Sequence, residues 1–164
     1  MSYTIQGLIV SRQEHAICSS KKLPFVSLEL DLLLIPLDRN LVFLVEGDET
    51  EPAELTGETV PPWLSELGAP FDRSAYIEAE FWGGDGMQAS CVWTNRQLSE
   101  PPVISSGAIN FALMKLGIPN TNAEYRFGIP VPSFRGKDLF DMVGLGRFRS
   151  TDAWIKAAGQ QLAQ

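Results

Sequence analysis

Between residues 75 and 94 the sequence alternates twice with a period of two. Ala75, Ile77, Ala79 and Phe81 interleave with Tyr76, Glu78, Glu80 and Trp82. After Gly83-Gly84-Asp85-Gly86, Met87, Ala89, Cys91 and Trp93 interleave with Gln88, Ser90, Val92 and Thr94. Period two is the repeat of a β-strand, and two such runs joined by glycines predict a hairpin. Register decides which sets share a face. Setting Trp82 opposite Gln88 puts Ala75, Ile77, Ala79, Phe81, Met87, Ala89, Cys91 and Trp93 on one dry face. Glu78, Glu80, Trp82, Gln88 and Ser90 then share a wet one. That register needs an odd loop, Gly84-Asp85-Gly86, with Gly86 left-handed in a bulge.

Other segments carry weaker versions of the same signal. Tyr3, Ile5 and Ile9 alternate with Thr4 and Gln6, which predicts a strand over 3–10. Val26, Leu28, Leu30, Leu32 and Leu34 predict a second strand, reversed by Asp38-Arg39-Asn40 into an apolar return strand from Leu41 to Val45. Pro36 is expected at a bulge or an unpaired edge position. Helical stripes follow. Ser11 and Glu14 have capping-box spacing for a short helix through 12–19. Pro62 to Gly68 reads as another. Ser106 is the expected cap of a helix carrying Ala108, Ile109, Ala112, Leu113 and Leu116, stopped at Gly117. Ser150 or Thr151 caps a last helix with Trp154, Ile155, Ala158 and Leu162 on its stripe. Tyr125 to Val131 reads as a proline-interrupted edge strand. Lys137 to Val143 reads as one or two helical turns ending at Gly144.

These elements predict one α+β domain over residues 1–164. Its antiparallel sheet has four to five strands built from two hairpins, and the two main helices pack on one face. An acidic solvated loop is expected at about 46–60, where Glu46, Asp48, Glu49, Glu51, Glu54 and Glu58 cluster. At 164 residues and 45% hydrophobic composition the chain can bury an ordinary core. Two cysteines far apart in sequence do not make a disulfide framework. The first residues lack a basic, then apolar, leader, and the run Leu32 to Leu37 is too short to span a bilayer. The expected compartment is the cytoplasm, with no membrane association.

Charge argues against nucleic acid. Residues 1–100 hold 16 acidic and 6 basic side chains, a net of −10, while residues 101–164 net +3. Polyanion binding rests on clustered Lys and Arg, and Arg126, Arg135, Lys137, Arg147 and Arg149 read as a solvated face.

No catalytic motif emerges. The single histidine, His15, lies three residues from Cys18, but no nucleophile elbow accompanies them. Four zinc ligands cannot be assembled, so no Cys/His metal site is expected; the acidic stretch lacks calcium-loop spacing and reads as a solvated loop, with carboxylate binding of calcium or magnesium left open. Neither Gly83-Gly84-Asp85-Gly86 nor Gly144-Leu145-Gly146 matches a nucleotide loop, so no cofactor is expected. The reading is a non-catalytic protein that binds a macromolecular partner, a basic protein, in the manner of an inhibitor or immunity protein. Glu78, Glu80, Trp82, Asp85 and Gln88 of the hairpin and Glu49 and Glu51 of the acidic loop are the expected partner-binding residues. Two alternatives share these positions. One is a small hydrolase using Glu78 and Glu80, whose roots on one strand face lie about 7 Å apart. The other is a carbohydrate or small-ligand module built on Trp82.

Overall fold

The computed structural model describes residues 2–37, 60, 62–82, 85–118, 124–126, 129–131 and 139–162. The expected turn at 38–40, the return strand 41–45 and the acidic loop through residue 59 lie outside them. The strands are β1 (Ser2–Ser11), β2 (Val26–Ser27), β3 (Leu32–Pro36), β4 (Arg73–Trp82), β5 (Asp85–Thr94), β6 (Gln97–Ile104), β7 (Glu124–Arg126) and β8 (Ile129–Val131). The α-helices are α1 (His15–Ser20), α2 (Pro62–Gly68), α3 (Ala108–Lys115), α4 (Leu139–Met142) and α5 (Thr151–Leu162); a 3-10 turn, Arg12–Glu14, precedes α1. An antiparallel sheet of six strands runs β2-β3-β1-β4-β5-β6, and β7 and β8 pair separately. The fold is α+β as expected, with a larger sheet.

Alternation along β1 sorts the molecule into layers. Ile5 and Ile9 join Val26, Leu34, Ile77 and Val92 on the sheet's first face, under Ile109, Ala112 and Leu113 of α3 and Trp154 and Ala158 of α5. Leu8 and Val10 join Leu33, Ile35, Tyr76, Cys91 and Trp93 on the second face, under Cys18 of α1 and Trp63, Leu64 and Leu67 of α2. The two main helices share one face, as expected, and a second core layer covers part of the other face.

Three expectations are corrected. The run from Val26 to Leu34 is not one strand. It reverses at Leu30 and Asp31, both left-handed at φ 58° and 60°, so that Val26 pairs with Leu34. Val26, Leu28, Leu32 and Leu34 still share the first face, because a hairpin of this register preserves the alternation; Leu30 alone leaves it and is half exposed. The reversal is pinned from outside: Arg12 N–H donates to Asp31 O at 2.8 Å, and Glu29 N–H donates to Val143 O at 3.0 Å.

The second correction is the register of the 75–94 hairpin. Trp82 pairs with Asp85, Glu80 with Met87 and Ala79 with Gln88. Gly86 is a strand residue opposite Phe81, not a bulge in the turn. This register places Gln88 and Ser90 on the first face, in the core. They are tolerated there because both bond α3. Gln88 Oε1 accepts from Ile109 N–H at 3.0 Å, and Ser90 Oγ donates to Ala108 O at 2.8 Å. Gln88 thus does from a strand what Ser106 was expected to do from the chain before the helix. Gln88→Leu keeps the volume but leaves the Ile109 N–H unpaired in the core. It is expected to cost about 1–3 kcal/mol, read as a lower urea midpoint at unchanged slope.

The third is β6, absent from the sequence reading. It follows a two-residue turn in which Asn95 and Arg96 are both left-handed, at φ 53° and 66°, the pattern that suits a tight hairpin. Its Pro101-Pro102 disguises it as a loop. The prolines fit because β6 is a sheet edge whose pairing with β5 is broken by register shifts around Val92.

Candidate functional site

Covered and open halves of the second face meet at Tyr76. On one side of it the row Leu8–Tyr76–Cys91 lies buried beneath the α1 and α2 layer. On the other, two cross-strand rows border a groove. One row is Gln6–Glu78–Ala89–Ile104 and the next is Thr4–Glu80–Met87, each read directly from the pairing of β1, β4, β5 and β6. Neighbouring strands lie about 4.8 Å apart, so the rows bring groups from four strands into one concavity of about 490 Å³, which Thr151 also lines. Thr151 reaches this edge because the segment before α5 is hydrogen-bonded to β1. Thr4 N–H donates to Arg149 O, and Gln6 N–H donates to Thr151 Oγ1.

The chemistry of the groove is carboxylate and apolar. Glu78 is only 9% exposed, and Tyr76 donates its hydroxyl to Glu78 Oε1 at 2.5 Å. Glu80 is exposed. Met87 and Ile104, 60% and 42% exposed, form the apolar rim. Among the described residues, no Lys, Arg or His lines the groove. Comparison with protein-family models, with curated proteins and with solved structures gave no match.

Of the expected site residues, the fold brings Glu78 and Glu80 together on this wall. Trp82 and Asp85 pair at the hairpin end through their backbones. Gln88 lines the groove too, but its side chain bonds the start of α3 from the other face, and Glu49 and Glu51 lie outside the described residues. Thr4, Gln6, Met87, Ile104 and Thr151 were not anticipated. The polar alternates Thr4 and Gln6 of the first strand were the available signal. Met87 was assigned to the dry face by the wrong register, and Ile104 belongs to the unread strand.

The thiols are held protonated. Burial above all, with a smaller contribution from the nearby Glu14 carboxylate, raises the Cys18 thiol to about 11 against a backbone hydrogen bond that lowers it. Burial, then the charge of Glu78, raises the Cys91 thiol more strongly still. Neither suits nucleophilic work, which needs the thiolate. Among the described residues no group of three or more His, Cys, Asp or Glu is placed to hold a metal. A smaller cleft of about 280 Å³ lies by Ser11, Gln13, Glu14, Asp72 and Arg73. There Glu14 Oε1 accepts from Asp72 N–H at 2.6 Å, a contact that ties the start of β4 to the 3-10 turn.

The thiol shifts have a consequence for stability. An unfolded thiol titrates near about 8.5, whereas native Cys18 waits until about 11. Above the lower value the native state binds more protons than the unfolded state, so stability falls as pH rises through this window. Cys91 and Tyr3, both raised mainly by burial, push the same way. The urea midpoint is expected to be lower at pH 10 than at pH 7, with the difference reduced in Cys18→Ala.

Proposed function

We propose that the chain is a non-catalytic protein that binds a basic partner protein through the open half of the second face, in the manner of an inhibitor or immunity protein. The observation that carries this reading is the composition of the groove among the described residues: two carboxylates, Glu78 and Glu80, beside an exposed apolar rim of Met87 and Ile104. Complementary charge guides encounter and fixes orientation, and an apolar contact beside it slows dissociation. The acidic stretch from Glu46 to Glu58 has the same sign. Buried free thiols at Cys18 and Cys91 suit a reducing compartment, the cytoplasm, and no described helix is long and apolar enough to cross a membrane.

The test is crosslinking in native lysate with the wild-type chain beside Glu80→Arg and Met87→Asp, both at exposed positions where folding should survive. A specific partner captured by the wild type and lost from both variants is expected. A partner retained by both would remove the groove from the interaction. A second reading, hydrolysis by the same two carboxylates, is supported by one feature: Glu78 and Glu80 stand on the same strand face at the wall of the groove. Turnover of a glycoside or ester that is abolished in Glu78→Gln would decide for it.

A further inference from the structure

We draw no further inference here: the strongest candidate, the exposed apolar side chains Met87, Ile104 and Leu98 along β5 and β6 on the open half of the second face, adds only Leu98 to the groove already described, and nothing in the structure shows what covers it.

Discussion

Trp154→Ala is expected to cost about 3–5 kcal/mol, the range for a large aromatic removed from a core, and to lower the melting temperature by roughly 10 °C or more. Trp154 is fully buried on α5 and meets Phe148 edge-on, ring centres 4.7 Å apart at 83°. The helix it anchors packs on β1, β2 and β3, so the void would open between the last helix and the sheet. Its indole N–H lies near the Tyr3 hydroxyl but makes no hydrogen bond of acceptable geometry, and Tyr3 donates instead to Leu145 O at 2.8 Å. The ring rather than the N–H should therefore carry the effect. Trp154→Phe, which keeps most of the ring contact, should cost clearly less than the alanine variant. Urea titrations at constant slope measure both. Near-equal losses would show that the volume account is mistaken.

The helices were legible because each signal was local. Ser150 Oγ accepts from Ala153 N–H, and Ser11 Oγ accepts from Gln13 N–H, both at caps that spacing alone indicated. Gly117 is left-handed at the end of α3 as its position required. The strands were legible as faces and illegible as connections. Alternation assigned Val26, Leu28, Leu32 and Leu34 correctly to one side, yet no local residue announced the reversal at Leu30 and Asp31. Its bonds come from Arg12 and Val143, distant in sequence.

The candidate site shows the same division. Glu78 and Glu80 were found because two carboxylates at i and i+2 on a strand must share a face. The register around them was missed for a chemical reason. Polar residues were assigned to water, whereas Gln88 and Ser90 are buried as partners of the α3 backbone. A glutamine can be a surface residue or a helix anchor, and only the helix tells which. With the register corrected, Met87 joins Glu80 in one row, and the wet face becomes a groove with an apolar rim.

Gly7 marks where the sheet tolerates least, and Gly7→Val is expected to cost about 3 kcal/mol, at the upper end for overpacking. Gly7 sits in the central strand, opposite Pro36 on one side and Ile77 on the other. A Cβ there would stand 2.6 Å from Leu34 Cδ1 and 3.1 Å from the backbone oxygen of Ile35. The first contact is with a fully buried side chain and the second with backbone, so neither can withdraw without disturbing β3. Valine adds two methyls beyond that Cβ. Gly159, in the interior of α5, supplies the opposite case, since a Cβ there meets nothing within 4 Å. Gly159→Ala should stabilise by about 0.5–1 kcal/mol through helix propensity alone. Adding Leu34→Ala to Gly7→Val tests the cause. If the clash with Leu34 dominates, the double variant should lose less than the two single losses combined, since contacting residues are not additive. Simple additivity would place the cost at the Ile35 carbonyl, where no side-chain change can relieve it.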